Sequence, residues 1–270
     1  MIPRISTRLV LTLLAAGAAA CSDTTAPPGA VTESMLTRDV ANDAADATAQ
    51  DLAQMGGFEL LMGMPLAAPA MKPTSAFGNC AFDAATSFFN CPSISTPDGL
   101  TLSRYLEIFG GGTAQRSYDP IATDSILFHG SLSGTLARSD RTAWLNHSRY
   151  MMLTGLGGTE TQRNWRGIGS RDDSAHVNTD NVVRTTRFVS TDAIDNVVYK
   201  LPRADFPFPQ SGTITSDMTV SSTTPDGTEA TNRRGTRHVV VTFNGTRTAS
   251  VVVGTTACSL DLVTRKLTCP

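Results

Sequence analysis

Imidazole is the side chain whose charge changes near neutral pH, so His129, His147, His176 and His238 are the first residues that could move protons. No two of them form an H-x-H or H-x₃-H pair, and His129, His147 and His238 sit in strand-like stretches. A catalytic partner would have to arrive from a neighbouring strand, so these histidines are read as structural or surface groups. Nucleophile and phosphate signatures are missing: there is no G-x-S-x-G, H-E-x-x-H or G-x-x-x-x-G-K-[ST]. Residues 130–134 read GSLSG, with Leu132 where a nucleophile elbow needs Ser. The glycines at 110–112 and 157–158 precede no helix and read as turns. Residues 170–180 gather Asp172, Asp173, His176 and Asp180, oxygen-rich enough for calcium. They lack the spacing of an EF-hand loop, so a polar turn is expected. No catalytic residue, metal or cofactor is assigned.

A recognition surface is easier to assemble. Trp144 and Tyr150 share parity on one strand-like stretch, and Arg163 and Trp165 share it on the next. If these stretches pair about Gly155–Gly158, rings and a guanidinium could form one platform. Stacking and bidentate hydrogen bonding would then suit a sugar or an anionic glycan. The alternative is that the two tryptophans fill the core. Arg233, Arg234 and Arg237 read as a solvated rim.

Cysteine chemistry is more informative. The unit CAFDAATSFFNCP at Cys80–Pro92 returns as CSLDLVTRKLTCP at Cys258–Pro270. Both cysteines, an Asp (Asp83, Asp261), a Thr (Thr86, Thr264) and the final Pro are shared. Pairing Cys80 with Cys91 sets Phe82 opposite Phe89. Pairing Cys258 with Cys269 sets Leu260 opposite Leu267 and Asp261 opposite Lys266. Opposed strand residues have Cα atoms about 4.5–5.5 Å apart, a separation a disulfide spans. Two clamped hairpins are therefore expected, although four cysteines also allow cross-pairing between the copies. The spacing lacks the C-x₂₋₄-C pairs of structural zinc sites.

The fifth cysteine is Cys21. Before it lie Arg4 and Arg8, an apolar run from Leu9 to Ala20, and the small residues Ala18-Ala19-Ala20. The run is shorter than the roughly 20 residues that span a bilayer. With Cys21 at its end, the segment resembles the N-terminus of bacterial lipoproteins. That resemblance implies cleavage before Cys21, acylation of its thiol, and anchoring in a membrane, with Ser22 favouring the outer one. Ala18 stands where that class most often has Leu, and plain cleavage after Ala20 is the alternative. Disulfides and export agree, because both belong to an oxidising compartment.

These residues need elements to hold them. Residues 1–21 are read as a signal peptide, 22–31 as a polar tether, 32–76 as a helix followed by an apolar, Pro-broken linker, and 77–270 as a β domain. The helix is expected over 32–56, capped by Thr32 or Ser34 and stopped by Gly56-Gly57. Leu36, Val40, Ala44 and Ala47 form its apolar stripe; Asp39, Asp43 and Asp46 are expected on a solvated face. From residue 78 apolar residues alternate with period two. Strands are expected at 143–154, 160–169, 182–190, 196–201, 212–221, 237–244 and 246–254, with Asn244-Gly245 closing a hairpin. The fold class expected is mainly β: an antiparallel meander curled into a barrel or a sandwich, with one N-terminal helix. The net charge of −2 becomes −4 when Arg4 and Arg8 leave with the signal. That value points to no nucleic-acid partner. A binding or structural role is the leading expectation; the rivals are an envelope hydrolase and a lipid carrier.

Overall fold

The computed structural model describes residues 30–61, 80–119, 121–157, 159–179, 182–225 and 233–270, with the side chains of 58–61 excepted. The signal segment, Cys21, nearly all of the tether and residues 62–76 of the apolar stretch lie outside the described residues, as does Asp180. Ala30 and Val31, the last residues of the expected tether, are buried.

Among the described residues one helix, α1 (Glu33–Leu61), precedes thirteen strands. They are β1 (Ala81–Asp83), β2 (Phe88–Ser95), β3 (Thr101–Gly110), β4 (Thr113–Gln115), β5 (Ser125–Ala137), β6 (Arg141–Thr154) and β7 (Gln162–Thr179). After these come β8 (Val182–Lys200), β9 (Ser211–Thr223), β10 (Arg233–Thr242), β11 (Thr248–Val253), β12 (Thr256–Asp261) and β13 (Lys266–Thr268). All strands belong to one antiparallel sheet in chain order, with β4 pairing only β3. The mainly β meander with one helix is as expected. A barrel is not formed: among the described residues no pairing joins β1 to β13, and the sheet stays open.

Turn chemistry sets the connections. Residues 96–99 (TPDG) turn β2 into β3, with Gly99 at φ 83°. Asn244-Gly245 lies in the β10–β11 connection, with Gly245 at φ 81°, a region that glycine enters at little cost. The expected strands 182–190 and 196–201 are one strand, β8. The expected polar turn at 170–180 is largely strand as well, the second half of β7. Its polar residues mislead because the strand presents charge to both of its faces.

The twin units are the two ends of the sheet. Disulfides join Cys80 to Cys91 and Cys258 to Cys269, with Cα atoms 4.0 and 4.3 Å apart. The registers are those expected: Phe82 opposite Phe89, Leu260 opposite Leu267, Asp261 opposite Lys266. The shared Asp has a job in each turn. Asp83 accepts hydrogen bonds from the Ala85 amide and the Thr86 hydroxyl; Asp261 accepts from the amides of Val263 and Thr264. Four residues beyond each Asp, Ser87 and Arg265 both take positive φ, 63° and 56°. Short, clamped end strands leave little free edge for another chain to extend.

Thr32 caps α1 by accepting the Met35 amide. Gly56-Gly57 does not stop the helix, which runs on to Leu61. Leu36, Val40, Ala44 and Ala47 are buried as expected, but so are Asp39, Asp43, Asp46 and Asp51. The helix packs along one side of the sheet against β8–β13 and reaches side chains on β6, β7 and β8. Close to its apolar stripe lie Phe128, Phe188, Val220 and Val251 in one continuous core.

Candidate functional site: a charged interior and the cavity beside it

The acidic stripe of α1 is a buried counterion array rather than a solvated face. Arg184 donates from Nε and Nη2 to the two oxygens of Asp39, at 2.7 and 2.6 Å. Arg171 donates to Asp43 at 2.6 Å and to both oxygens of Asp192 at 3.0 and 3.2 Å. Arg141 donates to Asp46 at 2.6 Å, with Arg138 on its other oxygen at 3.2 Å. Arg149 forks onto Asp51 at 2.7 and 3.2 Å and lies 2.9 Å from Asp192. Burying a charge is tolerated only with a partner and hydrogen bonds of this kind.

The strands place these arginines by alternation. On β6 the helix-facing residues are Arg141, Ala143, Leu145, His147, Arg149, Met151 and Leu153, every second position. Room for Arg149 comes from glycine: a Cβ at Gly169 would stand 2.3 Å from its Nη1. Gly130, on the other flank of Arg149, plays the matching part for the helix, since a Cβ there would meet Gln54 Oε1 at 3.1 Å.

Six buried carboxylates (Asp39, Asp43, Asp46, Asp51, Asp173 and Asp192) share the four buried guanidiniums of Arg141, Arg149, Arg171 and Arg184 plus the exposed Arg138. The shortfall falls on Asp43. Burial pushes it up to about 6, with Arg171 pulling down and Asp173 pushing further up. Burial acts on Asp192 in the same sense, but Arg171 and Arg149 together hold its carboxyl well below the usual range.

His147 Nε2 lies 2.8 Å from Asp173 Oδ2, a His–carboxylate pair enclosed on all sides. Asp172 points the other way and forms an exposed ion pair with Arg187. The two adjacent aspartates therefore cannot share an ion, and no group of three metal-ligating side chains occurs among the described residues. His238 pairs with Asp217 at the surface.

The expected ring-and-guanidinium platform does not assemble. Leu153 lies opposite Trp165 and Tyr150 opposite Ile168, so Trp165 and Tyr150 occupy opposite faces. Trp165 is fully buried and Arg163 nearly so; Trp144 and Tyr150 are exposed, at 47% and 44%. Tyr150 instead joins an outer row that the sequence alone did not reveal. Tyr105 stacks on His129 with centroids 4.2 Å apart, and His129 meets Tyr150 edge-on at 4.2 Å. Phe88 extends the row from Tyr105 at 4.9 Å. Its signal was present in register: Tyr105, His129 and Tyr150 are direct cross-strand partners. Arg233 and Arg237 both pair with the exposed Glu33 of the helix, a solvated rim as expected.

A cavity of about 430 Å³ opens between α1, the β2–β3 turn and the β12–β13 turn. Its walls include Ala53 and Gln54 of the helix, Ile94, Leu102 and Phe128 of the sheet, and Arg104. At the rim Arg265 pairs with Asp98, which also accepts from Gln50. The two ends of the open sheet are thus tied by an ion pair instead of a strand ladder. Gln54 is 6% exposed, and neither its Nε2 nor its Oε1 has a hydrogen-bond partner among the described residues. Arg104 Nε is likewise buried and unbonded. Burial lowers the basicity of Arg104, and no carboxylate counteracts it. Comparison of the chain with protein-family models, curated proteins and solved structures gives no match in any of the three.

Proposed function

We propose that this is a lipid-anchored cell-envelope binding protein whose curled sheet holds α1 along its inner side and leaves a ligand cavity at the seam. The carrying observation is the 430 Å³ cavity with unpaired polar groups on a mainly apolar wall. Its size falls in the range of small-molecule sites, about 300–1,000 Å³, and such sites are mostly apolar with a few placed polar groups. Catalysis finds less support, because the enclosed His147–Asp173 pair does not line this cavity. The anchor rests on Arg4, Arg8, the apolar run and Cys21, and the disulfides suit an oxidising compartment.

Native mass spectrometry of the purified protein tests the cavity. Wild type is expected to carry a small-molecule adduct, and Ala53→Phe, which fills the mouth from an exposed helix position, is expected to lose it. Equal spectra from the two proteins would reject the site. For the anchor, Cys21→Ser should move the protein into the soluble fraction; retention on membranes after a high-salt wash would reject it. For a glycan partner the stacking surface is the outer row of Phe88, Tyr105, His129 and Tyr150, and Tyr105→Ala is expected to abolish retention on peptidoglycan.

A further inference from the structure

We infer that the seam cavity selects an anionic amphiphile, a single apolar chain ending in a carboxylate, with the head held by Arg104 and Gln54. This rests on the cavity reading above and specifies its ligand. The arginines on the helix-facing side differ in one respect. Arg141, Arg149, Arg171 and Arg184 each have an aspartate within 2.6–2.7 Å. Arg104 shares that side, in phase with Leu102 and Leu106 on β3, yet it has no carboxylate partner among the described residues. The arginines that face α1 receive aspartates from it, and Arg104 receives none among the described residues.

Gln54 is the second, independent sign. A carboxamide enclosed at 6% exposure with both polar atoms unbonded is rare, because a buried polar atom left unsatisfied has lost its water without a replacement. Gly130 lies directly across from Arg104 on the adjacent strand, and Gln54 Oε1 sits over Gly130. Both side chains line the cavity, one across from Gly130 and one above it. A carboxylate there would accept two N–H bonds from the fork of Arg104 and a third from Gln54 Nε2, the planar arrangement guanidinium favours. Asp98 and Arg265 cancel each other at the rim, so the unbalanced charge on the lining is positive. Phe128, Leu102, Ala53 and the 42%-exposed Ile94 then offer the apolar track for the chain. The volume, toward the small end of ligand sites, suits one chain of moderate length.

The test is isothermal titration of the full-length protein in lipid nanodiscs, with empty nanodiscs as blank. The probes are octanoate, octanol and octyltrimethylammonium, which share a chain and differ in head charge. Octanoate is expected to bind at least tenfold more tightly than octanol. Arg104→Gln should erase that preference, and Arg104→Lys should keep part of it, since charge survives and the fork does not. Gln54→Leu guards against misfolding of the Arg104 variants: it leaves the cation in place and should weaken octanoate more than octanol. If octanol and octanoate bind equally and Arg104→Gln changes neither, the anionic assignment falls while the cavity reading stands. Tighter binding of octyltrimethylammonium also overturns the assignment. If none of the three binds, both readings fall together.

Discussion

Asp43 carries a stability contribution whose sign can be worked out from its surroundings. An ordinary aspartate titrates at 3.8, whereas burial pushes Asp43 up to about 6. Below about pH 4 the carboxyl is protonated in both folded and unfolded chains, so folding gains fully from its neutral form. Between about pH 4 and 6 the unfolded chain ionises it and the folded one does not. Unfolding then releases a proton, and stability falls as pH rises; the loss is complete above the folded value. At 1.36 kcal/mol per pH unit, that interval of roughly two units amounts to about 3 kcal/mol. Asp43→Asn keeps the shape and removes the titration. The assay is urea unfolding of wild type and variant from pH 4 to 8. Their difference cancels, to first order, the other groups facing this carboxyl: Arg171, Asp173, Arg141 and His147. The variant should gain about 3 kcal/mol relative to wild type between pH 4 and 7. A difference that stays flat, or that moves against the variant as pH rises, refutes the reasoning. It would mean that the 2.6 Å contact with Arg171 keeps Asp43 ionised throughout.

Five further outcomes are expected. Arg184→Met leaves Asp39 buried without its partner and should cost about 3–5 kcal/mol in denaturant unfolding. The double variant Asp39→Leu with Arg184→Met should recover much of that, because both desolvated charges are gone. Replacing Cys258 and Cys269 together with Ala should cost roughly 3 kcal/mol by the loop-entropy model, read as a lower urea midpoint. Gly169→Ala should lower the melting temperature, since its Cβ would stand 2.3 Å from Arg149 Nη1 and 2.7 Å from the Ser148 carbonyl oxygen. Gly57→Ala meets nothing within 4 Å and should instead stabilise by about 0.5–1 kcal/mol.

Local rules made the sheet legible. The twin hairpins, their registers and disulfides, and the Asn244-Gly245 turn each follow from a few adjacent residues. The helix interior was harder to see, because a stripe of aspartates three and four residues apart looks the same whether water or arginine faces it. The partners lie 92 to 145 residues further on. A trace of them was nonetheless in the strands. In 141–153 the apolar phase runs through Arg141, His147 and Arg149, and in 171–177 through Arg171 and Asp173. Charges that keep the inward phase imply opposite charges awaiting them inside. The failed platform has a simpler cause. Parity within one strand is readable, but whether two strands' parities coincide depends on the turn between them, and an error of one residue exchanges the faces. The cavity left the faintest trace, for Arg104 reads like any polar strand residue until its neighbours are seen to lack a carboxylate.

Because α1 is made before every strand that neutralises it, the order of synthesis matters. A nascent chain displays four aspartates with nothing to receive them until β6, β7 and β8 have followed, and contacts so distant in sequence form slowly. Through that interval hydration, not packing, keeps the segment comfortable. An all-apolar helix in the same place would be sticky while it waited; this one stays soluble and becomes core only when its arginines arrive.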